Sequence, residues 1–359
     1  MRIFIFICSI DFLLSIIGYF YWRYTLFGRS LGFALIYLLL TITAAVSVLL
    51  PPTTPLWLTK LFAWLEGLWI AFGYYTLLLI VIHAIFLIFA KLFFLKPSAA
   101  KFAAFGLIFI SGFIAWGSWR AFYPTIRTET ITTKKLPPQS SYKIVFLTDL
   151  HLGRILGNSY AADIAAKVNS LQPDFVLIAG DTIDERIFYV EEQDSLHALA
   201  QIQAPVYLSF GNHEYIDNPQ RWQEMLQKEG FHVLRNADTI IDNRVKITGL
   251  EDFSRDKSTD NLCALAKNNT QYYNIIMDHQ PRRFDAAALA GYDLYLAGHT
   301  HTGQLFPNRI ITRRMYKLDY GRNRFGGMNA ITSNGVGFWG PPVRTEVAPE
   351  IVVLNLKGK

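Results

Sequence analysis

Five short polar clusters carry the side chains able to do chemistry. They read Asp149-Leu150-His151, Gly180-Asp181-Thr182-Ile183-Asp184, Gly211-Asn212-His213-Glu214, Asp278-His279-Gln280-Pro281 and Gly298-His299-Thr300-His301. Five of the eight histidines fall inside them. The donor set mixes imidazole nitrogen with carboxylate and amide oxygen and contains no thiolate. Such a set suits borderline divalent ions, Mn²⁺, Fe or Zn²⁺, better than Ca²⁺ or Mg²⁺. There are more donors than one ion needs, and a single carboxylate can bridge two. A pair of ions about 3.5–4 Å apart is the usual device for displacement at phosphorus.

The elements that position these clusters follow from what precedes each one. Residues 144–148, 175–179, 206–210, 274–277 and 294–297 are short apolar runs that read as buried strands, and every cluster begins where one ends. Open α/β sheets bind ligands at the carboxyl ends of their strands. Helical spacing is expected over residues 160–171, 190–202 and 219–229, and further β segments near 233, 240, 245–249, 310–312, 330–332 and 351–356. The front half is βαβαβ and the back half mostly β, which predicts a two-sheet α/β sandwich over residues 142–359.

In their order and spacing the five motifs resemble the calcineurin-like metallophosphoesterases, over residues 142–357. The segments His279-Gln280-Pro281 and Gly298-His299-Thr300-His301-Thr302-Gly303-Gln304 resemble that family's membrane-anchored bacterial branch, which includes relatives of UDP-diacylglucosamine hydrolases. Thr302 stands where that branch often has Gly. The resemblance implies Asp149, His151 and His301 on a first metal, Asn212, His279 and His299 on a second, and Asp181 bridging both. It implies attack on phosphorus by a metal-bridging hydroxide. His213 would be a general acid facing the leaving group, oriented by Asp184, with Glu214 supporting the turn. A competing assignment, a non-catalytic receptor or scaffold with this fold, would usually have lost a ligand, and none is missing. Asp252 lies where the branch often has an acidic pair.

Several arginines stand near the motifs. Arg154 follows the first cluster, Arg282 and Arg283 the fourth, and Arg313 and Arg314 belong to a basic stretch after the fifth. Guanidinium forks suit phosphate oxygens, so Arg154, Arg313 and Arg314 are candidate substrate contacts, and Arg282 and Arg283 are placed to meet substrate phosphate as well.

The rest of the chain is of another kind. The protein is 52% apolar, with 27 Phe, 18 Tyr and 8 Trp among 359 residues. Residues 1–122 hold eight basic and two acidic side chains, which accounts for the whole formal charge of +6. The remainder is balanced, so the basic pI is no nucleic-acid footprint. Four apolar stretches, about 3–22, 31–50, 68–89 and 102–123, are each long enough to cross a hydrocarbon core of about 30 Å. They predict a four-helix transmembrane region over residues 1–122, joined by a polar, Thr-rich linker at 123–141 with room for one edge strand. Lys and Arg concentrate in the first and third connectors, which predicts that these are cytoplasmic and that the catalytic domain faces outward from a multi-pass inner-membrane protein. Asp11 and His83 lie within predicted spans, where a satisfied interhelical hydrogen bond is the simpler expectation than a relay. The implied partners are a phosphorylated, lipid-linked or envelope substrate and the bilayer itself.

Overall fold

The computed structural model describes residues 2–51, 53–184, 186–266 and 270–359, and their side chains except those of 2–11 and 48. The side chain of Asp11 therefore lies outside the described residues. The chain divides into two units, Met1–Trp119 with Gly340–Thr345, and Arg120–Trp339 with Glu346–Lys359.

The first unit is helical: α1 (Arg2–Trp22), α2 (Leu31–Leu49), α3 (Leu56–Leu92) and α4 (Ala99–Arg120). Among the described residues, α3 and α4 are long and apolar enough to cross a membrane. The expected third span begins earlier than its apolar run. Helix α3 takes in Leu56–Lys60, residues expected to form a connector, and reaches 37 residues. Proline at position 55 starts it, because a fixed φ and a missing N–H cost least at a helix entrance. His83 behaves as the sequence predicts, with Nδ1 3.0 Å from the Tyr21 hydroxyl across α1 and α3. The segment Gly340–Thr345 packs among these helices. Arg344 N donates to the carbonyl of Gly117 at 2.9 Å, and the Thr345 and Tyr75 hydroxyls meet at 2.5 Å. A Cβ on Gly117 would collide with Thr345 and Val343, so only glycine lets the segment approach α4 this closely.

The second unit carries two mixed six-stranded sheets. Its strands are β1 (Thr125–Thr133), β2 (Ser141–Leu147), β3 (Phe175–Ala179), β4 (Val206–Ser209), β5 (His232–Val233), β6 (Ala237–Ile241), β7 (Val245–Gly249), β8 (Tyr273–Met277), β9 (Leu294–Ala297), β10 (Gly321–Phe325), β11 (Met328–Thr332) and β12 (Glu350–Gly358). One sheet runs β1-β12-β2-β3-β4-β5, the other β10-β11-β9-β8-β7-β6. Successive side chains on a strand point to opposite faces, and the burial follows that rule. Ile144 and Phe146 of β2 and Leu177 of β3 pack against Ile247, Ile275 and Leu296 between the sheets. Val145, Leu147, Val176 and Ile178 face the other way, onto α5 (Asn158–Ser170) and residues of α7 (Ser195–Leu199) and α8 (Pro219–Lys228). The second sheet is covered in the same manner by α9 (Asp260–Leu265) and α10 (Phe284–Leu289).

Two expectations need correction. Residues 310–312 are not a strand but part of the exposed helix α11 (Arg309–Met315). The predicted helix at 190–202 is broken into α6 (Ile187–Glu192) and α7, because Asp194 takes a positive φ of 54° between them. The linker carries an edge strand, as its Thr-rich stretch allows: β1 pairs in parallel with β12 from Thr125 opposite Glu350 to Thr133 opposite Gly358.

Leu177 is fully buried between the sheets. Leu177→Ala should destabilise the second unit by about 2–5 kcal/mol. Thermal melting of the full chain in detergent should show a lowered first transition, with exposed Ile240→Ala as the control. An unchanged transition would mean that Leu177 is not part of a close-packed interior.

Candidate metal centre

Strands β2, β3 and β4 lie parallel and side by side, as do β8 and β9. Their carboxyl ends therefore deliver the five clusters to one edge of the sandwich. At that edge the backbone turns through the left-handed region at Asp149, His151, Asp181, His299 and His301, with φ of 54°, 50°, 49°, 70° and 45°. Non-glycine residues avoid this region, at a cost of order 1–3 kcal/mol each. Strain of this kind gathered at one edge marks a functional site.

Two groups of donor atoms result. In the first, Nε2 of His151 faces Nε2 of His301 at 3.0 Å, with Asp149 Oδ1 3.4 Å from the latter. In the second, Asp181 Oδ2 lies 3.0 Å from Nε2 of His279, and the His299 ring stands edge-on to that of His279 at 5.1 Å. Asp149 and Asp181 are buried, as are His151, His279 and His301. The same Asp181 carboxylate is 3.9 Å from His151 Nε2 and so reaches both groups. Asn212 was expected in the second group, and its Oδ1 is buried with no hydrogen-bond partner.

The surroundings prepare these atoms to accept a cation. His279 Nδ1 lies 2.8 Å from the Ala179 carbonyl, to which it donates. That bond fixes the ring's orientation and directs Nε2 toward the cluster. This Nε2 faces the Asp181 carboxylate, and although burial opposes charge on the ring, Asp181 and Asp149 hold the imidazole well above its usual range. Burial and the neighbouring His279 lower His299 to about 4, so it is a neutral acceptor at pH 7. Asp149 is oriented by the Thr148 hydroxyl at 2.9 Å and the His299 amide at 3.0 Å. Opposed imidazole nitrogens, an orphaned amide oxygen and buried carboxylates are together a donor set for divalent ions. The groups Asp149–His151–His301 and Asp181–His279–His299 could each hold one.

His213 lies at the edge of the first group, its ring perpendicular to that of His151 at 4.7 Å. Its Nδ1 is 2.6 Å from Asp184 Oδ1. Burial opposes charge on His213, but Asp184 and Asp181 outweigh it and push the imidazole up to about 10. Burial likewise opposes ionisation of Asp184, and the imidazoles of His213 and His151 overcome it, holding the carboxyl well below its usual range. Trp339, half-exposed, stands 6.1 Å from the His213 ring.

Glu214 is more important than its sequence position indicates. Its buried carboxylate accepts from the amides of Asp181 at 3.1 Å, Thr182 at 2.7 Å and Gly211 at 2.7 Å. One side chain thus ties the β3 turn to the β4 turn. Gly211 has to be glycine, since a Cβ there would collide with Asp181. Two further contributions are not visible in the motifs. The amides of Val336 and Gly337 donate to the carbonyls of Thr148 and Asp149, at 2.9 and 2.8 Å, and brace the first turn. Arg283, expected near substrate, is instead buried in an ion pair with Asp278 at 2.7 Å, where Tyr295 also bonds the carboxylate. A strand-end acid followed five residues later by an arginine was the available signal for that pair. Of the other arginines, Arg154 lies over the Tyr189 ring at 5.7 Å, while Arg313 and Arg314 are exposed on α11.

The calcineurin-like phosphoesterase family model matches residues 142–303. An uncharacterized metallophosphoesterase of Aquifex aeolicus is 31% identical over 254 residues, 68% of this chain and 96% of that protein. A zebrafish (Danio rerio) protein named "Transmembrane protein with metallophosphoesterase domain" is 29% identical over 65% of this chain and 57% of its own length. The phosphodiesterase YaeI of Escherichia coli is 29% identical, covering 60% of this chain and 82% of YaeI. The chain belongs to the calcineurin-like metallophosphoesterases and is a metal-dependent phosphoester hydrolase.

Glu214→Ala would strand three buried N–H groups, at about 1–3 kcal/mol for each left unsatisfied. It should lower both the melting temperature and the metal content of the purified full chain, read by calorimetry and elemental analysis. A variant with full metal content would sink the bracing role.

Proposed function

We propose that this protein is a membrane-anchored, dinuclear phosphoesterase acting on a phosphodiester or pyrophosphate bond of a lipid or envelope substrate. Residues 1–122 would be the anchor, with four spans, residues 123–141 the join and residues 142–359 the catalytic domain. The observation that carries the catalytic proposal is the pair of opposed His151 and His301 nitrogens beside Asp149, adjoining the Asp181–His279–His299 group.

Asp149, His151 and His301 would hold one ion, and Asn212, His279 and His299 the other, with Asp181 shared. Mn²⁺, Fe or Zn²⁺ fit this donor set. When bound, the ions acidify water and offset negative charge on the phosphoryl oxygens. The protein's own residues do the rest. Asp184 accepts from His213 Nδ1 and holds the ring so that Nε2 presents a proton at the edge of the cluster. Nε2 donates that proton to the departing oxygen. The raised pKa keeps the imidazole charged at neutral pH, so the acid is loaded before the reaction begins. Trp339 offers an apolar surface beside that departing group, in keeping with a hydrophobic substituent. The outward, periplasmic or extracellular placement of the domain rests on the distribution of Lys and Arg between connectors.

Two substitutions test this. His213→Ala should lose about 10²–10⁴-fold in kcat, with both ions retained by elemental analysis. A general acid must be protonated, so wild-type activity should fall as pH rises through its pKa. Bound cations place that alkaline limb below the metal-free value of about 10. His213→Ala should lack the limb, and an unchanged pH profile would rule out the role. Asp181→Asn should lose metal and activity together; two retained ions would rule out the bridge.

A further inference from the structure

Helix α11 turns apolar side chains to solvent. None of its seven residues is buried. Ile310, Ile311 and Met315 are each more than half exposed, and so is Phe306 just before the helix. The opposite face is the anchored one. The Thr312 hydroxyl donates to Asp319 Oδ2 at 2.9 Å, and Arg309 Nε lies 3.4 Å from the same oxygen. Residues three apart share a helix face, so Arg309 and Thr312 turn toward the body of the unit. At about 100° per residue, Ile310, Ile311, Arg314 and Met315 fall together on the other side, with Arg313 at its border.

The charge on this segment has one sign. From Phe306 to Lys317 it carries Arg309, Arg313, Arg314 and Lys317 and no acidic residue. Arg309 and Lys317 are paired with Asp319 and Asp285, while Arg314 is in no ion pair among the described residues. Apolar side chains alone would suit a protein partner as well. An arginine set among them favours phospholipid, because its stem can lie along acyl chains while the guanidinium meets headgroup phosphate. Such a basic amphipathic face is drawn to anionic lipid. The chain also keeps this unit close to lipid, since residues 121–124 alone lie between α4 and β1. In the sequence, α11 is bracketed by residues that reach the metal cluster. Before it, the Gln304 side chain bonds the backbone of Trp339 at 2.8 and 3.1 Å, and the Trp339 ring stands 6.1 Å from that of His213. After it, the Tyr316 ring is edge-on to His299 at 6.1 Å.

We propose that Ile310, Ile311, Arg314 and Met315, with Arg313 beside them, dock the catalytic unit on an anionic phospholipid leaflet, with the metal cluster at the edge of the docked face. This rests on the membrane anchor of the reading above and is independent of which bond is cleaved. Arg313 and Arg314 then meet headgroup phosphate rather than the phosphate under attack.

The test uses the full chain with Cys8→Ser and Cys263→Ser, and a single bimane-labelled cysteine from Ile311→Cys, Ile240→Cys or Phe109→Cys. Each is placed in nanodiscs of phosphatidylglycerol with phosphatidylcholine, with or without a doxyl group on the acyl chains. Bimane at 311 should be quenched by the doxyl lipid and bimane at 240, on exposed β6, should not. Quenching at 311 should weaken in phosphatidylcholine alone. In the anionic nanodiscs, Arg313→Glu with Arg314→Glu should lower the docked-to-free ratio by about fivefold or more per arginine. Ile310→Ser with Met315→Ser should weaken quenching in both lipids. Melting in detergent should match the parent in each case, as expected for exposed positions. No quenching at 311 while Phe109→Cys on α4 is quenched would overturn the inference and leave the anchor standing. No quenching at either position would overturn both. Shielding of 311 from aqueous iodide without doxyl quenching would assign the face to a protein partner and likewise overturn docking on lipid.

Discussion

The site depends on a backbone constraint. Five of the seven proposed ligands must adopt positive φ so that side chains leaving parallel strands turn back toward one another. Each such turn is unfavourable by itself, and something must hold it. Glu214 holds the one at Asp181 and ties it to the turn after β4, through the amides of Asp181, Thr182 and Gly211. The Asp149 carboxylate, by accepting the His299 amide, links the turn after β2 to the turn after β9. The sheets supply the stiffness that lets these bonds win. Leu147, Ile178 and Leu296, at or near the ends of their strands, are fully buried.

Electrostatics and packing are difficult to separate here. Carboxylates and imidazoles buried side by side shift one another strongly. His213 rises to about 10 and His299 falls to about 4, although both are imidazoles of one small cluster. The difference is one of neighbours. His213 has two carboxylates against it, and His299 has a second imidazole and little water. Environment thus separates a proton donor from a neutral donor of lone pairs, as general acid–base sites require.

The chemistry was legible in the sequence because strand ends and donor types coincide in short motifs. Asp149-Leu150-His151 and Gly298-His299-Thr300-His301 each bring two donors and their turn within four residues. The sandwich was legible too, since β2, β3, β8 and β9 are continuous apolar runs. What failed lacked a local signal. Residues 310–312 are β-prone, but α11 is exposed and takes its helical state from its context. The pairing of β1 with β12 joins residues more than two hundred positions apart, which no spacing rule reports. Arg282 and Arg283 are adjacent, and only their partners distinguish them. One pairs with Asp278, while the other rests on aromatic faces.

The position of β12 has a consequence for biosynthesis. Among the described strands it follows the other eleven in the chain, yet in the sheet it lies between β1 and β2, the first two of the twelve. The chain also leaves the catalytic unit after Trp339, contributes Gly340–Thr345 to the helical one, and returns at Glu346. No single cut of the backbone separates the two units. The first sheet cannot close until Glu350–Gly358 has left the ribosome. Until then β1 and β2, long since synthesised, wait without the strand that joins them.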